Sequence, residues 1–313
     1  MKTMTANLGD LPYKSIPVIC GPTASGKSDL AMEICRVTRG ELMSLDSMQI
    51  YKGMDIGTAK QPEKDRVEIP HHLIDILDPS EEYNVSVFQQ EALREIESIL
   101  ERKNLPVLCG GTGQYVQSLT LGLQYIETPE DPELHKKLEK EMTQSGAEAM
   151  HNRLRQIDPT SAEAIHPMNK RRVLRALEIY ELTEIPMSRH RELSRLQGPR
   201  YPYISFFIQR DREDLYRRID LRVDKMMADG LLTEVEGLLK RIGGLSKTAG
   251  QGIGYKELVA YLNGSISLDE AIGLIKQRSK NYAKRQITWF SHMDGIVPIT
   301  PDGLPEVLSR IKK

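Results

Sequence analysis

A glycine-rich segment near the start of the chain contains the residue types that proteins use to hold phosphate groups. Residues 21–28, GPTASGKS, match the pattern G-x-x-x-x-G-K-[ST]. Glycine permits backbone conformations in which successive amides curl around an anion. Lys27 adds a positive charge, and Ser28 offers a hydroxyl to Mg²⁺. The segment predicts a phosphate site made by Gly21, Thr23, Ala24, Ser25, Gly26, Lys27 and Ser28, but it does not identify a reaction.

Two further polar residues follow apolar runs. Asp46 comes directly after residues 42–45, and Thr112 lies in the glycine-rich segment 110–113. Asp46 could act as a base, a hydrogen-bond acceptor or a partner of Mg²⁺, or it could cap a helix. Thr112 could bind an oxyanion or simply form a tight turn. For His71 and His72, packing or capping is favoured over metal binding, because no cluster of metal-ligating residues accompanies them.

The net charge excludes one class of nucleic-acid-binding protein. With 43 Lys and Arg against 44 Asp and Glu among 313 residues, the formal charge is −1, so the chain is not basic throughout. Cations are nevertheless clustered at 170–175, 189–200 and 276–285. Such clusters are either solvated helix faces or local patches that contact a phosphate backbone.

Short apolar runs alternate with helical patterns in the first third of the chain. The strands are predicted at 16–20, 42–45, 72–77 and 105–109, and a further strand at 203–209. Helices are predicted at 28–37 and after a capping box formed by Ser86 and Gln89, and the chain after 209 is mostly helical. This alternation predicts a parallel α/β sheet, with the phosphate loop and Asp46 at the carboxyl ends of strands.

The segment from 124 to about 200 differs in character, because it is highly charged and helical with no convincing strand. We therefore predict a loose N-terminal tail at 1–15, a catalytic core made of 16–123 and 203–313, and a helical insertion domain at 124–202. The three cysteines, Cys20, Cys35 and Cys109, fit neither a disulfide framework nor a zinc site. With no predicted signal peptide or membrane span, we expect a reduced, cytoplasmic protein.

Together these motifs resemble those of the tRNA dimethylallyltransferases, also called tRNA isopentenyltransferases or IPP transferases, of the bacterial type. The resemblance runs from about residue 16 to near 300 in the order of the family. It rests on GPTASGKS (21–28), DSMQIYKGMDIGTAK (46–60), IPHHLIDILDP (69–79), GGTGQY (110–115), HPMNKRRVLRALE (166–178), GIGYKE (252–257) and AKRQITWF (283–290). It implies a P-loop NTPase-like, nucleotide-kinase-like sheet with an inserted all-helical domain that contacts tRNA.

The resemblance also implies a reaction, the transfer of a dimethylallyl group from its diphosphate to N6 of the adenosine immediately 3′ of the anticodon. The family typically modifies tRNAs that read codons beginning with U. Residues 21–28 would bind the diphosphate, with Mg²⁺ at Ser28. Asp46 would accept a hydrogen bond or proton from the amine, Thr112 would hold a diphosphate oxygen, and Arg222 would add positive charge.

The segments expected to face tRNA are 46–49, 171–175, 252–256 and 279–286. The residues singled out in them are Asp46, Ser47, Met48, Gln49, Arg171, Arg172, Arg175, Gly254, Lys256, Lys280, Lys284 and Arg285. Glu184 and Gln114 depart from the glycine and leucine usual in the family, and they affect loop geometry or packing more than phosphate chemistry. A monomer is expected.

Two other functions are compatible with the phosphate loop. A kinase acting on a nucleotide or small metabolite would use ATP at the same loop, and Asp46 and Thr112 could serve phosphoryl transfer. An RNA-binding NTPase without transfer activity would explain the basic clusters but would give Asp46 and Thr112 no role. The basic insertion and the complete series of motifs favour the transferase.

Overall fold

Six parallel strands form one sheet, which carries the phosphate loop. In the computed structural model, which describes residues 8–125 and 131–313, every pair of neighbouring strands is parallel and the order is β3-β2-β4-β1-β5-β6. The strands are β1 (Ile16–Cys20), β2 (Gly40–Ser44), β3 (His71–His72), β4 (Leu105–Gly110), β5 (Tyr203–Ile208) and β6 (Val297–Ile299). The predicted α/β class is confirmed.

Thirteen helices are present in the described residues. They are α1 (Lys27–Thr38), α2 (Glu63–Glu68), α3 (Val85–Glu101), α4 (Gly113–Thr120), α5 (Pro132–Ile157), α6 (Pro159–Ala164), α7 (Lys170–Thr183), α8 (Met187–Ser194), α9 (Arg212–Ala228), α10 (Leu231–Ile242), α11 (Tyr255–Leu262), α12 (Leu268–Ser291) and α13 (Leu304–Ile311), with a short 3₁₀ turn at Ala249–Gln251. None of them is both long and apolar enough to cross a membrane.

The central strands are buried along their whole length, as expected of a parallel sheet covered on both faces. Every residue of β1, β2 and β4 is buried. Side chains from the strands pack with Leu30, Ile34, Phe88 and Ile96 of the flanking helices in one large core. This core holds the carboxyl ends of β1, β4 and β2 side by side, which is where the site described below lies.

Three local predictions differ from the structure. The strand expected at 72–77 ends at His72, because Leu73 and Asp75 have φ values of 58° and 52° that break an extended chain. The N-cap of helix α3 is Asn84, two residues before the predicted N-cap Ser86, because the Asn84 side chain accepts from the amides of Ser86 and Val87. Strand β6 was not predicted, because it is only three residues long and contains a proline.

The described residues form two compact units, and each has its own core. One unit is Leu121–Gly198, in which α5–α8 pack around apolar side chains that include Leu138, Leu154 and Val173. The other contains the sheet and comprises the residues up to Thr120 together with Pro199–Lys313. The division of roles between a catalytic core and a tRNA-binding insertion stays a prediction.

The segment before β1 is packed where the structure describes it. Leu8 and Tyr13 are buried, Tyr13 forms an isolated antiparallel bridge with Lys312, and the amide of Lys14 donates to the carbonyl oxygen of Ile311 at 2.7 Å. Residues 8–15 therefore do not form the loose tail expected at 1–15, because Leu8 and Tyr13 belong to the large core and the backbone is bonded to the end of the C-terminal helix. Residues 1–7 of that prediction lie outside the described residues.

Candidate active site

Three loops leave the carboxyl ends of adjacent strands and surround one cavity of about 300 Å³. The phosphate loop follows β1, the segment beginning at Asp46 follows β2, and Gly111 and Thr112 follow β4, whose residues Cys109 and Gly110 line the cavity. Helices α9 and α12 complete the cavity with Arg222, Tyr282 and other side chains. The sequence therefore predicted the correct edge of the sheet, because parallel strands place their following loops together.

The phosphate loop has the backbone needed to present amide groups to an anion. Ala24 and Gly26 adopt φ values of 63° and 94°, and helix α1 begins immediately afterwards at Lys27. The amino end of α1 therefore points its unpaired amides and its positive dipole end toward the loop. Ser25 is fully buried, and a Cβ on Gly21 would lie 2.6 Å from its Oγ, so the Ser25 side chain occupies the space beneath Gly21.

Two arginines outside the motif fix the backbone of the phosphate loop. Arg210 Nε donates to the carbonyl oxygen of Ser25, and Arg218 Nε donates to that of Ala24, both at 2.9 Å. Arg210 is also paired with Asp214 at 2.8 Å. The two arginines hold these carbonyl oxygens. The N–H group of each of the same peptide units points the opposite way, so the amide that follows Ser25 can face a ligand. The sequence carried a signal for Arg210, which follows β5 at the same sheet edge as Asp46.

Lys27 and Arg222 bring two positive charges to the cavity. Burial lowers the pKa of Lys27, and the charge of Arg222 lowers it further, whereas Asp46 acts in the opposite direction. Burial likewise lowers the pKa of Arg222, again against the carboxylate of Asp46. Two poorly solvated cations with one nearby carboxylate form an environment that an added anion stabilises. Arg222 lines the same cavity as Lys27 and Asp46, and its expected role toward the diphosphate stays a prediction.

Asp46 and Thr112 are held by neighbouring backbone amides. Asp46 Oδ1 accepts from the amide of Met48 at 2.9 Å, and Oδ2 accepts no hydrogen bond from the described residues. Thr112 Oγ1 accepts from the amide of Ser47 at 3.1 Å, and its hydroxyl donates to Ser47 Oγ over a long 3.5 Å. The Asp46 carboxylate is thus oriented through one oxygen while the other can meet a substrate.

Helix α12 supplies Tyr282 and Gln286 to this group. Burial and the charge of Asp46 raise the pKa of Tyr282 to about 12, although its interactions with Thr112 and Gln286 lower it in part. The phenol is therefore neutral at pH 7. Gln286 is buried and bonds the backbones of two loops, with Oε1 accepting from the amide of Thr23 and Nε2 donating to the carbonyl oxygen of Gly111.

A second cavity of about 400 Å³ adjoins the phosphate loop on its outer side. Four cations line it, namely Lys27, Arg218, Arg222 and Lys225. Lys27, Ser28 and Arg222 also line the first cavity, so the phosphate loop lies where the two cavities meet. An anion at the loop would be reached from this basic cleft as well as from the side of Asp46.

The loop at 53–60 forms another wall of the first cavity, and one carboxylate holds it. Glu234 accepts hydrogen bonds from the amides of Asp55, Ile56 and Gly57 at 2.7 to 3.2 Å and from the hydroxyl of Tyr255 at 2.6 Å. A Cβ on Gly57 would lie 2.5 Å from the Tyr255 ring, so only glycine fits there. Sequence reasoning missed Glu234, because the three amides that donate to it are 177 to 179 residues away along the chain.

The residues expected to meet tRNA occupy several parts of the structure. Those that line the first cavity are Asp46, Ser47, Met48, Gln49, Gly254 and Arg285. Lys256 and Lys284 are exposed. Lys280 is already paired with Asp220 at 2.7 Å. Arg171, Arg172 and Arg175 are exposed on α7 of the helical unit, where Arg175 also contacts Glu178.

The protein offers few ligands for a metal ion near the phosphate loop. Among the described residues, no group of three or more His, Cys, Asp or Glu side chains could hold one. Ser28 lines both cavities and places a hydroxyl beside the loop. This donor set suits Mg²⁺, which binds through one or two protein oxygens while phosphates and water supply the rest. Cys20, Cys35 and Cys109 are free and buried.

Comparisons with known proteins give the family. A sequence model described as IPP transferase matches residues 49–293. A tRNA dimethylallyltransferase of Acetivibrio thermocellus is 48% identical over 92% of each chain, and one of Pelotomaculum thermopropionicum is 46% identical over 87% of this chain and 86% of its own.

Two solved structures are also similar. The tRNA isopentenylpyrophosphate transferase of Bacillus halodurans has 39% identity and a TM-score of 0.67, and the match covers 95% of this chain and 94% of that one. A eukaryotic dimethylallyltransferase acting on tRNA has 31% identity and a TM-score of 0.78 over 94% of this chain and 75% of its own. The P-loop NTPase-like fold is confirmed, and the chain belongs to the IPP transferase family.

Proposed function

We propose that this chain transfers a dimethylallyl group from dimethylallyl diphosphate to N6 of the adenosine immediately 3′ of the anticodon in tRNA. The carrying observation is that Asp46 shares one cavity with the partly buried cations Lys27 and Arg222. An acceptor for an amine proton thus lies with a site for a phosphate leaving group. Family membership supports tRNA prenylation over phosphoryl transfer.

The reaction forms one bond and breaks another. The N6 lone pair attacks the first carbon of the dimethylallyl group, and the bond from that carbon to the diphosphate oxygen breaks with its electron pair leaving on oxygen. The adenine amine is a weak nucleophile, because its lone pair is delocalised into the ring. Asp46 would accept the N6 proton through Oδ2, the oxygen that is not held by Met48.

Stabilising the departing diphosphate is the task of the phosphate loop. The amides of Ala24 and of residues 26–28, together with Lys27 and Arg222, would bind its oxygens. The hydroxyl of Thr112 would exchange its long bond to Ser47 Oγ for one to a diphosphate oxygen. Loss of one such preorganised donor costs about 3 kcal/mol in other enzymes. Mg²⁺ at Ser28, when bound, would neutralise part of the charge that develops on the diphosphate.

We propose that tRNA is held by residues of both units. The cavity residues Ser47, Met48, Gln49 and Gly254 would surround the target adenine, which must leave its stack at a cost of a few kcal/mol. The exposed arginines of α7 would contact the anticodon stem-loop through its phosphates. Such a substrate places the protein in the cytoplasm, where we expect it to act as a monomer.

Transfer can be separated from kinase activity by one pair of incubations. The protein is given unmodified tRNA with dimethylallyl diphosphate labelled in the prenyl group, and separately given ATP with candidate phosphate acceptors. Label in the RNA together with release of diphosphate supports the proposal. Consumption of ATP with no label in the RNA would replace it with the kinase alternative.

A further inference from the structure

Gln286 connects two loops that are far apart in sequence but adjacent in the sheet. Its Oε1 accepts from the amide of Thr23 and its Nε2 donates to the carbonyl oxygen of Gly111, each at 2.9 Å. These partners are 263 and 175 residues away along the chain. One side chain thus ties the phosphate loop after β1 to the glycine-rich loop after β4.

The contact admits little freedom in either partner. Gln286 is 5% exposed. A Cβ on Gly111 would overlap the amide nitrogen of Gln286 and lie 3.2 Å from the carbonyl oxygen of Gly21. The Thr23 amide can only donate and the Gly111 carbonyl can only accept, so the two bonds require an acceptor and a donor at one planar group. An amide side chain meets this requirement, whereas a carboxylate does not.

The bonds also decide which groups remain for the diphosphate. Because the Thr23 amide donates to Gln286 and the Ser25 amide donates to the carbonyl oxygen of Pro22, phosphate oxygens are left to the amides of Ala24 and residues 26–28 and to Lys27. Gly111 immediately precedes Thr112, whose hydroxyl is the other expected diphosphate ligand. The pairing of Cys20 with Gly110 holds the bases of the two loops together, and the Gln286 side chain then constrains the distance between the two sets of ligands beyond it.

We infer that Gln286 is a positioning residue for the diphosphate donor, acting through Thr23 and Gly111 rather than by touching tRNA. This inference rests on the proposed function. Gln286 is the last residue of segment 279–286, which is expected to face tRNA, and the inference assigns it to the diphosphate donor instead. Removing the side chain would let the two loops separate, and diphosphate affinity would fall while tRNA affinity would not.

The test compares two binding measurements on one set of variants. Gln286→Glu keeps an acceptor for Thr23 but places a carboxylate oxygen against the carbonyl of Gly111, and Gln286→Met keeps the length while removing both bonds. Thr288→Ala is the matched control, because Thr288 is exposed on the same helix and its hydroxyl donates to the carbonyl oxygen of Lys284 within that helix. Inorganic diphosphate binding is measured by calorimetry, and binding of unmodified tRNA by filter retention, with thermal unfolding recorded for each variant.

For Gln286→Met, which removes both hydrogen bonds without adding a charge, we expect diphosphate affinity to fall about tenfold or more, because two backbone groups are left unpaired. Gln286→Glu should lower it further, because its carboxylate also repels the diphosphate. We expect the tRNA affinity of Gln286→Met to stay within twofold of the wild type. If Gln286→Met does not fold, the same comparison is made with Gln286→Leu, which also adds no charge. Equal loss of both affinities, or loss of neither, would overturn the inference. Failure of the wild type to prenylate tRNA would instead overturn the proposed function, which these binding measurements do not use.

Discussion

Replacing Asp46 with asparagine separates its chemical role from its structural one. Asparagine keeps the size of the side chain and an Oδ1 that can still accept from the amide of Met48, so the turn is preserved. The substitution removes the negative charge, and it replaces the acceptor Oδ2 with an NH₂ group that would face the substrate amine as a donor. The variant therefore removes the proton acceptor and little else.

The expected magnitude follows from general base catalysis. Loss of a positioned base lowers rates by about 10²- to 10⁴-fold, which corresponds to about 2.7 to 5.5 kcal/mol in the barrier. Diphosphate affinity should be unchanged or tighter, because the carboxylate opposes anion binding at Lys27 and Arg222. A drop in kcat with no loss of diphosphate affinity is thus the expected signature of Asp46→Asn.

The assay measures single-turnover transfer of labelled dimethylallyl to tRNA, together with calorimetric binding of diphosphate. Asp294→Asn, which alters an exposed carboxylate, is the control for general effects of charge. A rate within tenfold of the wild type would show that Asp46 is not the proton acceptor. Loss of diphosphate binding would show instead that its main role is to organise the loop.

Three further substitutions test a cation of the site, the loop at 53–60 and a buried carboxylate near the amino end of β2. Arg222→Gln removes one cation from the cavity, and we expect kcat/KM for dimethylallyl diphosphate to fall about 10²-fold. An unchanged value would show that Arg222 does not bind the diphosphate. Glu234→Gln weakens the bonds to the amides of residues 55–57, so their hydrogen exchange should accelerate and stability should fall by about 2 kcal/mol. Unaltered exchange there would mean that the loop is held by other contacts. Burial alone would raise the pKa of Glu41, but hydrogen bonds from Arg102 and other side chains outweigh it and lower the pKa to about 2. The stability that Glu41 contributes is therefore present at neutral pH and is lost as the pH falls from about 4.5 toward 2. In Glu41→Gln the denaturant midpoint should depend less on pH over that interval than it does in the wild type. An equally steep decline in the variant would contradict the assignment.

Features that depend on neighbouring residues in the chain were predictable from the sequence. The run IPVIC at 16–20 forms a buried strand because its residues are all apolar, and the phosphate loop follows because its glycines permit the required backbone. The sheet edge that carries Asp46 and Thr112 could also be predicted. Parallel strands place their following loops at one edge whatever the details of packing.

Features that depend on distant partners were not predictable in this way. Ser86 and Gln89 match a capping box, but Gln89 is buried and its amide donates to the carbonyl oxygen of Ser118, while Asn84 caps the helix. Leu73 takes a positive φ that its residue type does not indicate. The local sequence of α12 likewise shows that Gln286 is on a helix but not that it bonds two loops.

The most direct test of the proposed function is the identity and position of the nucleoside formed from labelled donor. Unmodified tRNA is incubated with the protein and dimethylallyl diphosphate, digested, and analysed by mass spectrometry together with mapping of the labelled fragment. We predict a single new nucleoside, adenosine carrying the dimethylallyl group on N6, located immediately 3′ of the anticodon. Label on another atom, at another position, or absent from the RNA would contradict the proposal.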